Sequence, residues 1–131
     1  MSLPENSPYS PPALFSRKAA VSGASLQEKN DLAKAVLRQL EKDFSLQGMP
    51  LILPESVPPY GKLLDLLAEH LHSEGIDRGD KLARLLYQID LDERKVRKLL
   101  ADSAPEDTLR ALAREMVHRC CEKVVMRAKF S

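Results

Sequence analysis

From Ser103 to Lys129 the chain reads as one long amphipathic helix, and no other feature constrains the fold as much. Leu109, Leu112, Ala113, Met116, Val117, Cys120 and Val124 recur at spacings of three, four and seven, the rhythm that lines one side of an α-helix. The other side carries Arg110, Arg114, Glu115, Arg119, Lys123 and Arg127. A helix of this length with so broad an apolar stripe must dock, either on the rest of the chain or on another molecule. Cys121, Val125 and Ala128 widen the stripe further, so that four or five short helices would leave part of it for a partner or a second copy.

The 131 residues suit one domain with room for a tail. A chain of this length buries roughly two-thirds of its unfolded surface and needs no metal or disulfide to fold. Aromatics are 5% and Trp is absent, so the core must be aliphatic, and a Leu-rich, Gly-poor sequence favours helix over sheet. The net charge is +1, which gives no global pull toward nucleic acid or a membrane surface. The charge is unevenly placed. Gly61 to Thr108 holds eight basic and eleven acidic residues, whereas Leu109 to Ser131 holds six basic and two acidic. A basic last helix on a mildly acidic body implies either complementarity within the molecule or an anionic partner.

Cys120 and Cys121 are neighbours, and on a helix they point about 100° apart, so they do not pair with each other. Cys120 lies on the apolar stripe and reads as a small buried hydrophobe. This usage fits a reducing compartment. No cationic start followed by an apolar run is seen at the N-terminus, and no apolar stretch approaches the ~20 residues of a membrane span. The expectation is a cytoplasmic protein that does not enter the membrane.

Residues 1–24 read as a flexible tail, because Pro4, Pro8, Pro11 and Pro12 oppose a regular helix and the gaps are filled by Ser and Asn. Leu14, Phe15 and Val21 are the side chains that could pin it to the body. Residues 25–46 form a first helix or arm. Ser25 and Glu28 make a capping box, Ala33, Leu37, Leu40 and Phe44 form the stripe with Leu32 and Val36 beside it, and Gly48 is the stop. Residues 47–59 are a connector containing Pro50, Pro54, Pro58 and Pro59, with Leu51-Ile52-Leu53 laid across the core as an extended segment. Residues 60–131 form the helical bundle. Its second helix runs from Tyr60 to Ser73 with Leu63, Leu64, Leu67 and Leu71 inward, and Gly75 ends it. The third starts at Asp77 and presents Leu82, Leu85, Leu86 and Ile89. Asp90 with Glu93, and Ser103 with Glu106, repeat the capping-box pattern and open the fourth and fifth helices. Val96, Leu99 and Leu100 face in on the fourth, and Pro105 sits in the first turn of the fifth, where a missing N–H is harmless.

Catalytic and metal-binding patterns are weak. His70 and His72 lie about 200° apart on a helix and cannot share one metal. His118, Cys121 and Glu122 share a face but lack any Cys-x-x-Cys or His-x-x-x-His partner. Cys121 beside His118 has the composition of a thiol–imidazole pair without a loop to hold an oxyanion. Five scattered glycines make no phosphate loop. Asp90, Asp92 and Glu93 are explained by capping and the helix dipole, and the spacing departs from a calcium loop. No cofactor, metal or enzymatic activity is therefore assigned. A helix-turn-helix reading of the third and fourth helices, with Arg94, Lys95, Arg97 and Lys98 as contacts, is opposed by the acidic start of the fourth helix.

The stretch Leu85-Leu-Tyr-Gln-Ile-Asp-Leu-Asp-Glu-Arg-Lys-Val96, together with Glu122-Lys-Val-Val-Met-Arg-Ala-Lys-Phe130, resembles a small group of helical proteins of Bacteroidetes-type bacteria. The likeness spans about Lys62 to Phe130. It implies a helical fold and carries over no functional residue.

These readings converge on an all-α fold, a compact bundle of four to five helices with a disordered, Pro-containing N-terminal tail. The expected role is a non-catalytic protein–protein interaction or self-association module. Arg119, Lys123 and Arg127 are the candidate charged contacts and Val125 the apolar one. The alternative is a nucleic-acid-binding accessory domain that tracks phosphates with the same basic row.

Overall fold

The computed structural model describes residues 12–15, 26–75, 81–102 and 105–130. The fold is all-α. Helices α1 (Leu26–Leu46), α2 (Tyr60–Ser73), α3 (Lys81–Ile89), α4 (Glu93–Asp102) and α5 (Pro105–Phe130) follow a short 3-10 turn at Ala13–Phe15. Helix α5 is the hub. It packs against α1, α2, α3 and α4, and α1 also contacts α3 and the 3-10 turn. Its residues Leu112, Ala113, Met116, Val117, Cys120, Cys121 and Val124 are buried, and Leu109 and Val125 pack against the core from its edge. The amphipathic stripe is thus closed over by the molecule's own helices. Val125 is half-buried against that core, and Ala128 is exposed.

Helix α1 is a member of the bundle rather than a separate arm. Ala33, Val36, Leu37, Leu40 and Phe44 are all buried. Its end is a paired closure in which Met49 N–H donates to the Phe44 carbonyl (3.0 Å) and Gly48 N–H to the Ser45 carbonyl (3.0 Å). That closure needs a left-handed residue, and Gly48 supplies it at φ 74°. Met49 then folds fully into the core. The connector after it is extended. Leu51 and Leu53 are buried while Ile52 between them is 92% exposed, the alternation an extended backbone imposes. It is tied down by side chains rather than by a neighbouring strand: Glu41 Oε2 accepts from Leu53 N–H (2.8 Å), Arg38 donates to the Pro54 carbonyl (2.6 Å), and His70 Nε2 donates to the Met49 carbonyl (3.1 Å).

One expectation is corrected. Asp90 does not cap α4; it closes α3. It sits at φ 66°, with Asp90 N–H on the Tyr87 carbonyl (3.1 Å) and Leu91 N–H on the Leu86 carbonyl (3.0 Å). This is the same closure that Gly48 makes, and Asp is among the few residues that enter the left-handed region at modest cost. The cap of α4 is Asp92, whose Oδ1 accepts from Arg94 N–H at 2.9 Å. Leu14 and Phe15, expected as side chains that could pin the N-terminal segment to the body, do so. Leu14 is buried and Phe15 half-buried on the body, because two adjacent large apolar side chains find an apolar seat. The expected cap at Ser25 and the openings at Asp77 and Ser103 lie outside the described residues.

Candidate docking site

The basic row of α5 has partners inside the molecule. Arg119 binds Asp90 twice, Nη2 to Oδ2 (2.8 Å) and Nε to the carbonyl (3.2 Å), and its Nη1 meets Glu122 at 3.1 Å. Lys123 Nζ donates to the Gln88 carbonyl (3.4 Å) and Arg127 to Gln39 Oε1 (2.5 Å). The three cations therefore hold α5 to the α3–α4 turn and to α1. On α4, Arg94, Arg97 and Lys98 are exposed, and Lys95 pairs with Glu115 at 3.2 Å.

Sequence reasoning missed a buried carboxylate. Asp43 is 1% exposed. Its Oδ1 accepts from Gln39 (2.9 Å) and Gln88 (3.5 Å), and Cys120 Sγ lies 3.9 Å from Oδ2. The signal was available: Asp43 lies three residues after Leu40 and beside Phe44, on the stripe itself. The cluster ties α1, α3 and α5 together with neutral donors, as burial of a charged group requires. It presents no reactive thiol. Burial first, and then the Asp43 carboxylate, push Cys120 up to about 12, and burial likewise raises Cys121. A thiol held protonated is inert. Among the described residues, no group of three or more His, Cys, Asp and Glu side chains is placed to hold a metal, and no helix is long and apolar enough to cross a membrane.

The feature with the form of a site lies at the start of α2. Leu14, 5% exposed, seats in the core cluster beside α1, and the Phe15 ring rests on Tyr60 with centroids 6.1 Å apart. Tyr60 in turn meets His118 of α5 edge to face, at 6.3 Å and 86°. The positions follow from the sequence. Pro58 and Pro59 bring the chain into α2 so that Tyr60 occupies its first helical position, and His118 borders the α5 stripe immediately after Val117. Within the Pro12–Phe15 segment the backbone bond is Phe15 N–H to the Pro12 carbonyl (2.9 Å). Burying Leu14 and half-burying Phe15 contributes about 3 kcal/mol. Ordering four residues costs about 1 kcal/mol each, less for the ring-locked Pro12. The two sides nearly cancel, so the segment is held by a marginal balance.

No protein-family model matches the chain, and comparison with curated proteins and with solved structures returns no match.

Proposed function

We propose that this protein is a non-catalytic protein–protein interaction module whose docking face is the seat now filled by Leu14 and Phe15. The preferred partner is a short segment with an adjacent aliphatic and aromatic pair, because that is the chemistry the seat already accepts. The observation that carries the reading is this pair of side chains from a short 3-10 turn, seated on α1 and Tyr60. A seat with a weakly held internal occupant can exchange it for an external one, and the occupant lowers apparent affinity by the fraction of time it is bound. The basic row favours this reading over phosphate contact, since Arg119, Lys123 and Arg127 are each engaged within the molecule.

The test is a labelled peptide of residues 10–17, titrated by fluorescence polarisation into wild type and into the Leu14→Ser/Phe15→Ser variant. The peptide should bind the variant about twofold tighter than wild type, as expected for a seat that its own occupant blocks about half the time, and a peptide carrying the same two serines should not bind. Absence of binding to a variant shown by circular dichroism to be folded would overturn the reading. Sedimentation of the wild type then tells whether a second copy of the chain is the occupant, through a mass that rises with concentration.

A further inference from the structure

Three rings from three parts of the chain stand in file at the edge of the seat. Phe15 rests on Tyr60 with centroids 6.1 Å apart, and Tyr60 meets His118 edge to face at 6.3 Å. His118 is half-buried, but its Nε2 is shut off from solvent and has no hydrogen-bond partner within the described structure. A neutral imidazole tolerates this, because one of its two nitrogens is bare. An imidazolium does not. It carries N–H on both nitrogens, so the closed arrangement leaves a charged donor without an acceptor. Burial accordingly lowers the His118 pKa. The titratable and charged groups that face the ring are Glu115, Glu122 and Arg114 of α5, Lys95 of α4 and Tyr60 of α2. Glu115, paired with Lys95, draws a proton toward His118 more than any other charge does. Yet Glu115 lies three residues before His118 on the same helix, and Glu122, paired with Arg119, lies four after it. Both carboxylates stay beside the ring whether it is folded in or turned out. What differs between the two arrangements is the access of Nε2–H to water.

We propose that His118 gates the Leu14–Phe15 seat by proton uptake: the segment docks while the imidazole is neutral, and is released when the ring takes a proton from solvent and turns Nε2–H to water. The inference rests on the docking reading above and adds its regulation. The coupling runs through the rings. Turning His118 out removes the edge on which Tyr60 packs, and Tyr60 is the ring on which Phe15 rests. A segment held by a marginal balance leaves when its support changes only slightly. Linkage makes the coupling reciprocal, so acid weakens docking and a docked segment opposes protonation of His118 by the same factor. Docking is strongest above the ordinary 6.5 of a histidine and fades as pH falls through the lower folded value. An external segment that places its aromatic ring on Tyr60 meets the same gate. The module therefore takes its partner near neutral pH and lets it go in acid.

The test uses the full chain carrying Leu14→Ser/Phe15→Ser and the peptide of residues 10–17, acetylated and amidated so that the peptide itself does not titrate. Affinity read by fluorescence polarisation should be constant above the His118 midpoint and about tenfold weaker at about one pH unit below it, as one proton lost per peptide bound requires. Circular dichroism at each pH follows the fold. Adding His118→Gln should keep the affinity seen at neutral pH and abolish its pH dependence. NMR titration of the His118 ring gives a second reading with that residue intact. Its proton affinity should be about twofold higher in the Leu14→Ser/Phe15→Ser variant than in wild type, and saturating peptide should lower it by about tenfold or more. A His118 midpoint that the peptide does not move, or a loss of affinity in acid that survives His118→Gln, overturns the gate and leaves the docking reading standing. Failure of the peptide to bind at neutral pH overturns the docking reading and the gate with it.

Discussion

At the scale of single residues, the titratable groups of the interior set the range of pH over which the fold is most stable. His118 has its pKa lowered, first by burial and against the pull of Glu115. It faces Glu115, Glu122 and Arg114 of α5, Lys95 of α4 and Tyr60 of α2. A base whose folded pKa is depressed binds more protons when unfolded. Its contribution is therefore complete above its ordinary 6.5 and is lost as pH falls toward the lower folded value. Cys120 has the opposite shift, from 9.0 up to about 12. Its contribution is complete below pH 9 and is lost as pH rises toward 12. Urea denaturation across this range should give a plateau bounded on the acid side by His118 and on the alkaline side by the thiols. The wild type should lose more stability on acidification than His118→Gln; equal losses would show that His118 is not the group responsible.

At the scale of elements, the helix ends carry more of the architecture than the helix interiors. The α3–α4 turn depends on one residue doing two jobs. Asp90 holds a left-handed backbone, and its carboxylate and carbonyl both anchor Arg119. Asp90→Gly relieves the backbone but removes the carboxylate; the ion pair is largely exposed on the Asp90 side and is worth about 0.2–1 kcal/mol. Asp90→Ala loses the same pair and keeps the β-carbon that the left-handed backbone disfavours, which places it about 1–2 kcal/mol below Gly. Thermal or chemical denaturation should rank wild type above or near Gly, with Ala clearly last. If Gly and Ala were equally destabilised, the ion pair rather than the backbone would be what Asp90 supplies. The capping-box pattern Asp90-x-x-Glu93 pointed to the right join but to the wrong residue, since choosing between Asp90 and Asp92 depends on how the preceding helix ends.

At the scale of the whole molecule, stability and the proposed activity are separated in space. Met116 is fully buried at the hub, where α5 meets its neighbours, and Met116→Ala should cost about 2–5 kcal/mol. The Leu14→Ser/Phe15→Ser variant should change unfolding free energy by no more than ~1 kcal/mol, because the burial lost is offset by the ordering entropy recovered. Denaturant midpoints of the two variants measured together test this contrast. A large loss from the second variant would mean that the N-terminal segment is part of the core and not an exchangeable occupant.

What the sequence determined by itself was what depends on neighbours along the chain. The 3.6-residue rhythm of Leu112, Met116, Cys120 and Val124 made α5 a helix with one buried side, and the spacing of Leu63, Leu67 and Leu71 did the same for α2, whose bounds fall at Tyr60 and Ser73. Gly48, Gly75 and the prolines marked ends, since backbone permissiveness is a local property. Only the tertiary structure decided which surfaces meet. It placed a carboxylate, Asp43, inside the core, because Gln39 of α1 and Gln88 of α3 converge on it from positions 49 residues apart. It set the basic row of α5 against Asp90, Gln88 and Gln39, and it covered the apolar stripe as far as Val125 while leaving Ala128 exposed. It also brought Phe15, Tyr60 and His118 together. No pattern of spacing links those three, because contact between distant segments is set by packing that closes only when all the helices are in place.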